Sequence, residues 1–305
     1  MTGARDPIVT VFGGTGFLGR RVALHLRQHR IRVRIASRHP DKVRGLFCPD
    51  DPYVEFQEAN IHDEQSVATA LAGAYGAVNA ISLYVEHGRE TFHSVHVEAA
   101  GHLAHIAQRA GVQCLVHVSG VGSDATSSSL YIRKRGEGEQ AVHTAFPEAI
   151  LMRSTVMFGP DDAFLTPILR LLRRLPVYPM FGDGRTRLQP VFVEDMAEAI
   201  TQALLPPQKP AVIYECGGPR VYSYKMLLEA LAKEAGINAI LFPLPFAVWH
   251  AIAWAGEMLP HPPITRNQVE LMRTDNVSST DKPGLTDLGI FPRGIDAQIR
   301  LMRQG

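Results

Sequence analysis

Three sets of side chains have types and spacings that could do chemistry. The first is Gly13-Gly14-Thr15-Gly16-Phe17-Leu18-Gly19, which fits GxxGxxG through Gly13, Gly16 and Gly19, and GxGxxG through Gly14, Gly16 and Gly19. Glycines here allow a tight turn and let backbone N–H groups approach a pyrophosphate at a helix N-terminus. A strand-like run precedes the motif and a helical run follows it, which favours nucleotide binding over a purely structural turn. The second set is Ser37 and Arg38, at the end of the next apolar run. A ribose without a 2′-phosphate is usually held by Asp or Glu, whereas a 2′-phosphate needs cationic or hydroxyl donors. No acid stands at this strand end, so the pair favours NADP(H) over NAD(H); a solvated basic loop is the competing reading. The third set is Tyr131-Ile132-Arg133-Lys134-Arg135-Gly136-Glu137-Gly138-Glu139. Lys134 and Arg135 follow Tyr131 by three and four positions, on the same helical face, so either cation can approach the phenol. An ordinary amphipathic core tyrosine is the alternative.

These residues need a frame, and the chain alternates short β-branched runs with helical patterns. Strands are expected at Ile8 to Phe12, Arg32 to Ala36, Val54 to Gln57, Ala77 to Ile81, Cys114 to Ser119 and Ala149 to Met152. Between them Leu18, Val22 and Leu26 recur at helical spacing, as do His96, Ala100, Leu103 and Ala107. The pattern predicts an α/β Rossmann fold, a doubly wound parallel sheet with helices on both faces. From Pro160 onward prolines become frequent (Pro167, Pro176, Pro179, Pro190, Pro206, Pro207, Pro210) and alternation weakens. The expected division is a cofactor-binding domain of residues 1–160 plus about 188–215, with a last sheet strand near Ala211 to Glu215. A smaller substrate or partner region takes about 161–187 plus 216–305.

Composition sets outer limits. With 305 residues, 46% hydrophobic, and 31 basic against 30 acidic side chains, the chain can bury a large core and carries almost no net field, which argues against a nucleic-acid partner. Cys48, Cys114 and Cys216 are far apart, with neither CxxC nor HExxH, so no disulfide framework and no metal site is expected. The start, MTGARDPIVT, has no signal-peptide pattern. The expected location is a bacterial cytoplasm, with peripheral contact at the inner membrane as an extension of it. Leu241 to Leu259 is long and apolar but broken by prolines, His250 and Glu257, and is shorter than the ~20 apolar residues of a span. A core helix is the default there; a lid over a hydrophobic substrate or an interfacial membrane contact is the sharper alternative. Arg170, Arg173, Arg174, Arg185 and Arg187 offer a basic surface that solvated faces also produce.

His117-Val118-Ser119 ending a strand, Tyr131 twelve residues further on, and the glycine motif together resemble the short-chain dehydrogenase/reductase superfamily in its extended or atypical branch. The motifs from Asn79-Ala80-Ile81 and Glu90-Thr91-Phe92-His93-Ser94-Val95 through Leu151 to Pro160, Pro179 to Ala199, Tyr214 to Pro219 and Leu259 to Asn276 narrow this further. Over almost the whole chain the sequence is similar to the family of the NADPH-binding accessory subunit of respiratory complex I (alpha subcomplex subunit nine) and its bacterial relatives. The resemblance implies an active-site Ser, Tyr and Lys, with the Lys four residues past the Tyr. Ser119 would orient a carbonyl and Tyr131 would act as acid or base, its pKa lowered from about 10 by a cation. Here Arg135 occupies the lysine position and Lys134 precedes it; Arg keeps the charge but differs in geometry and reach. Ser123 and Ser127 to Ser129 offer other hydroxyls. The implied cofactor contacts are Gly13, Thr15, Gly16, Phe17, Leu18, Gly19, Ser37, Arg38, Asn60, Ile61, Ala80, Ile81, Ser82, Val118, Ser119, Tyr131, Arg135, Ser154, Thr155 and Val156. Ser154 replaces a common proline, and Asn60 a common acid. The implied roles are an NADPH-dependent reductase for a hydrophobic carbonyl or quinone-related substrate, or a non-catalytic structural, assembly or redox-sensing protein. Its partner would be a respiratory or quinone-biosynthesis complex.

Overall fold

The computed structural model describes residues 7–48, 50–205, 212–259, 262 and 264–296. Its first half runs β1 (Ile8–Phe12), α1 (Gly19–Gln28), β2 (Arg32–Ser37), β3 (Val54–Glu58), α2 (Glu64–Leu71), β4 (Gly76–Asn79), α3 (Ala100–Arg109), β5 (Cys114–Gly120), α4 (Leu130–Ala145) and β6 (Ile150–Ser154). There follow β7 (Met157–Phe158), α5 (Leu165–Arg174), β8 (Val177–Phe181), β9 (Arg187–Leu188), β10 (Val191–Phe192), α6 (Val193–Leu204), β11 (Ile213–Cys216), β12 (Tyr222–Ser223), α7 (Tyr224–Ala235), β13 (Ile240–Leu244), α8 (Phe246–Gly256) and α9 (Arg266–Leu271).

Seven strands form one parallel sheet in the order β11-β6-β5-β4-β1-β2-β3. Because alternate residues of a strand face opposite sides, Val9 and Val11 pack with Val22 and Leu26 of α1 and Met196 and Ile200 of α6. Phe12, Leu115 and Leu151 face the other way, onto Val67 of α2, Leu103 of α3 and Val142 of α4. Both faces are covered, which is why these strands read as continuous apolar runs. The doubly wound sheet is the one the alternation predicts. Strand order reverses between β1 and β4, so their carboxyl ends open a crevice where such sheets bind ligands.

Three local departures shape that crevice. First, β4 stops at Asn79, two residues short of the expected Ile81. The Asn79 Oδ1 accepts from the Ile81 N–H (3.2 Å) while its Nδ2 meets His117 Nδ1 (3.2 Å), an Asx-type turn that swings Ala80 to Ser82 across the crevice. Second, Ser94–Ala99 is a π-helical turn leading into α3. Gly138 of α4 packs directly on it, and a Cβ there would overlap the His96 carbonyl oxygen. Third, the apolar segment after Ile240 is not a core helix. Of α8 only Ala253 is buried, while Val248, Ile252 and Trp254 are exposed. It is docked by Trp249, whose ring lies 4.4 Å from that of Phe181 and whose Nε1–H donates to the Met180 carbonyl (3.3 Å).

A separate cluster of Phe158, Leu172, Tyr178, Met180, Tyr224 and Leu228 forms the core beneath α5 and α7. The last sheet strand begins at Ile213; Ala211 lies outside the described residues, as do Pro206, Pro207, Pro210, Pro260 and everything from residue 297 onward. No described helix is long and apolar enough to cross a membrane.

Candidate cofactor and active site

The glycine loop joins β1 to α1, and its glycines are demanded by contact. Gly13 has φ of +75°, donates to the Ala36 carbonyl (3.1 Å) and accepts from the Gly16 N–H (2.9 Å). A Cβ on Gly19 would overlap the Gly13 carbonyl, so no other residue lets α1 start this close to the strand. The first turn of α1 carries no acidic side chain, which leaves its positive end for an anion. Arg21 braces the loop from behind. Its Nη1 donates to the Phe17 carbonyl (2.6 Å), Nη2 to the Pro160 carbonyl (2.8 Å) and Nε to Glu194 (2.8 Å). Phe17, Leu18 and Gly19 thus support the loop and do not line the cavity in front of it.

That cavity, of about 270 Å³, brings together Gly13, Thr15, Gly16, Ser37, Arg38, Asn60, Ile61, Ala80, Ile81 and Ser82. Ten residues predicted from four separate stretches therefore share one wall. The Thr15 and Ser37 hydroxyls pair at 2.9 Å. Ala59, His62, Glu90 and Val95 complete the lining and were not assigned from sequence. Glu90 is the consequential omission: its carboxylate accepts from Arg38 Nη1 (3.2 Å) and meets His62 Nε2 (3.1 Å). An acid is therefore present beside Ser37 and Arg38, supplied by the segment after β4 and not by β2. Its signal was the Glu90-Thr91-Phe92 motif, which carried the resemblance but had no position. A larger hollow, about 890 Å³, lies at the opposite edge of the sheet beside Pro7, Arg32 and Arg34, both of whose guanidinium groups are bound to Glu55. Ligands of open α/β sheets bind at the other edge, where the glycine loop is.

Ser82 connects the cavity to Tyr131. Arg135 Nη1 donates to both the Ser82 Oγ (3.1 Å) and the Tyr131 hydroxyl (3.0 Å), and Nη2 donates to the Val118 carbonyl (3.4 Å). Lys134 is not the partner: its Nζ turns to Glu137 at 2.7 Å. Spacing left both cations available, and the carboxylate three residues on decides between them. Tyr131 and Arg135 are each only 7% exposed. The phenol ring is enclosed by Tyr84 (stacked, 5.7 Å), Phe92 (edge-on, 5.3 Å) and His96 (edge-on, 5.7 Å).

Burial pushes the Tyr131 phenol above its usual range, and the Arg135 charge offsets only part of that. Burial, reinforced by the same charge, drops His96 to about 4 and His117 to about 3, so both imidazoles are neutral at neutral pH. Among the described residues the Arg135 Nε has no hydrogen-bond partner. The two glycines of GEGE make this packing possible, since a Cβ on Gly136 would overlap the backbone at Asp124 and Ala125, just as one on Gly138 would overlap His96.

The remaining predicted residues are not gathered on the phenol. The Ser119 hydroxyl pairs with Ser123 (3.1 Å), which donates to the Gly120 carbonyl (2.7 Å). Ser154 Oγ reaches the Ser119 carbonyl at 3.5 Å, the Thr155 hydroxyl donates to the Gln189 carbonyl (2.6 Å), and the Val156 N–H donates to Asn276 Oδ1 (2.6 Å). The first ties β6 to β5, and the other two tie the residues just after β6 to Gln189 and Asn276. Among the described residues no cluster of three or more His, Cys, Asp or Glu side chains is arranged to hold a metal.

Comparison with known proteins agrees with the fold. Residues 9–217 match the model of the NAD dependent epimerase/dehydratase family. The chain is 31% identical over 97% of its length to NADH dehydrogenase (ubiquinone) 1 alpha subcomplex subunit 9, mitochondrial, of Mus musculus, covering 80% of that protein. It is 26% identical to the ceramide reductase of Caulobacter vibrioides, over 78% of this chain and 74% of that one. Among solved structures, the triphenylmethane reductase of Citrobacter sp. complexed with NADP(H) superposes with a TM-score of 0.76 over 96% of this chain and 99% of that one, at 16% identity, a likeness of fold.

Proposed function

This chain belongs to the NAD dependent epimerase/dehydratase family, in its atypical short-chain dehydrogenase/reductase branch, and we propose that it is an NADP(H)-binding reductase for a hydrophobic carbonyl or quinone-related substrate. One observation carries the reading: Ser82 belongs to the cavity of the glycine loop and is bonded by the same guanidinium that bonds Tyr131. A cofactor held along that cavity supplies hydride when bound. The chain's own residues do the rest. The glycine loop and the first turn of α1 take the pyrophosphate, Ser37 and Arg38 take the 2′-phosphate, and Asn60 and Ile61 flank the adenine. Tyr131, kept protonated by burial, gives its proton to the oxygen that gains negative charge, and Arg135 stabilises the phenolate left behind. Ser119 and Ser123 form a hydroxyl pair able to orient a carbonyl. Lys134 has no part in this scheme.

The second reading, a non-catalytic NADPH-binding component of a respiratory or quinone-synthesis assembly, is favoured by the enclosure of Tyr131. Its hydroxyl already accepts from Arg135 and Tyr84 stacks over its ring. The exposed apolar face of α8, with Val248, Ile252 and Trp254, then serves as contact with that assembly at a membrane surface.

Titration with NADPH, NADP, NADH and NAD, followed by absorbance of bound NADPH with quinones and hydrophobic ketones added, separates the two. Cofactor oxidation abolished by Tyr131→Phe at unchanged NADPH affinity supports the reductase. Turnover that survives Tyr131→Phe removes the acid role, and tight binding without turnover favours the structural role.

A further inference from the structure

Glu90 reaches the cavity from a narrow backbone bridge, in which the His87 N–H donates to the Glu90 carbonyl (2.9 Å) and the Glu90 N–H to the His87 carbonyl (3.0 Å). One carboxylate oxygen accepts from Arg38 Nη1 and the other meets His62 Nε2. His62 is itself held in reach, because Asn60 Oδ1 accepts its backbone N–H (3.1 Å) and the Asn60 N–H donates to Ser66 Oγ (3.0 Å). The donors that a 2′-phosphate requires are thus already engaged by an internal anion.

We propose that Glu90 sets the discrimination between NADP(H) and NAD(H) by competing with the 2′-phosphate for Arg38 and His62; this rests on the nucleotide reading of the cavity. A 2′-phosphate must displace the carboxylate from Arg38 and then lie beside it as a like charge. A 2′-hydroxyl does the opposite and donates to a carboxylate so placed. One side chain therefore penalises one cofactor and supports the other, which is how discrimination is built when affinity alone does not supply it. The Arg38 side chain is 65% exposed and Glu90 34%, so the pair is weak enough for a dianion to open. Asn60 has a role here too: its turn aims His62 at Glu90.

The test is calorimetric titration of the full chain and of Glu90→Gln with NADPH, NADH, adenosine 2′,5′-bisphosphate and adenosine 5′-monophosphate. The glutamine variant should bind NADPH and the bisphosphate roughly three- to ten-fold more tightly, while NADH and the monophosphate stay within about two-fold or weaken. Equal shifts for both pairs, or weakened NADPH binding, would overturn the proposal. The wild-type preference is a separate result. If wild type binds NADH more tightly than NADPH, the NADP(H) reading fails, and the change of ratio in Glu90→Gln still decides what Glu90 does. Thermal unfolding without cofactor should not differ between the two proteins.

Discussion

The two ends of the crevice bury charge in opposite ways. Behind the glycine loop, Arg21 and His25 of α1 face Glu194 and Glu198 of α6, with His25 Nδ1 at 2.7 Å from Glu198 and Nε2 at 3.0 Å from Glu194. Burial alone would lower the His25 pKa, but the bonds to the two carboxylates outweigh it and raise it. At the tyrosine end, Arg135 bonds only neutral groups among the described residues, and Glu139, one turn along α4, is taken by Arg153 at 2.6 and 3.0 Å. There burial and the Arg135 charge, which has no bonded carboxylate, act together and depress His96 and His117. His25 is the less buried of the three and alone faces carboxylates, so depth and counter-charge together set the state of each end. The first end is a brace; the second holds a cation against a phenol, an arrangement more expensive for stability and more suited to proton transfer.

The largest effect that tests this contrast is acid sensitivity at the tyrosine end. His96 and His117 titrate at about 4 and about 3 when folded and near 6.5 when unfolded, so below that value the unfolded chain binds protons that the folded chain refuses. Stability therefore falls as the pH drops below about 6.5, by roughly 2 kcal/mol per histidine by about pH 5. Urea unfolding at about pH 7 and pH 5 measures it. His96→Phe, which can still stack on Phe92, should remove its share of the slope; an unchanged slope would mean that His96 is not the neutral group described. Glu194 and Glu198, whose pKa values are lowered from 4.5, lose their contribution only at still lower pH, so the two ends separate along the pH axis.

Gly19→Ala comes next and strikes the other end. The added Cβ overlaps the Gly13 carbonyl, which should cost about 1–3 kcal/mol and reduce NADPH affinity by roughly 100-fold. Thermal unfolding and cofactor titration give the two numbers. Wild-type binding in this variant would show that the loop does not take the pyrophosphate.

The same contrast explains what could be read in advance. The glycine loop was legible because its requirement is a backbone one: where α1 meets β1 at this distance, only glycine fits, and the spacing announces it. The strands were legible because both faces of the sheet are covered, although β4 ends two residues early through an Asx turn whose partner, His117, is on another strand. At YIRKRGEGE the helical period placed two cations near Tyr131 but could not choose between them. The choice depends on Glu137 pulling Lys134 outward. Gly136 and Gly138 owe their place to close approach by residues 124–125 and by His96, which no local pattern contains. Glu90 was invisible as a cofactor-facing acid for the same reason, being 52 residues from Arg38 in sequence.

Removing the phenol and its cation together should have a smaller effect with an unusual sign. In Tyr131→Phe/Arg135→Met the phenol and the guanidinium both become apolar groups of similar size, and the core loses a charge with no bonded carboxylate, which outweighs the donor lost at Ser82 Oγ and at the Val118 carbonyl. The double variant is expected to be about 1 kcal/mol more stable than wild type while losing the proposed reductase turnover, the signature of a pair kept for function. Arg135→Met alone should be less stable than the double variant, because it strands the Tyr131 hydroxyl. A double variant more than about 2 kcal/mol less stable than wild type would make the pair structural instead.

The smallest effect lies at the brace and runs the other way in pH. Because the folded pKa of His25 is raised above 6.5, its contribution is complete below that value and disappears as the pH rises through the folded pKa. The loss should be under about 1 kcal/mol, since Glu194 keeps Arg21 as a partner when the imidazole becomes neutral. His25→Gln keeps hydrogen-bonding capacity without the charge, so its stability should stay level across the window in which wild type declines. If the decline persists in His25→Gln, the alkaline loss originates elsewhere and the carboxylates of α6 are not what holds this histidine charged. If it vanishes, one chain contains a histidine that stabilises only when protonated and two that stabilise only when neutral, divided first by how deeply each is buried and then by whether a carboxylate or a guanidinium faces it.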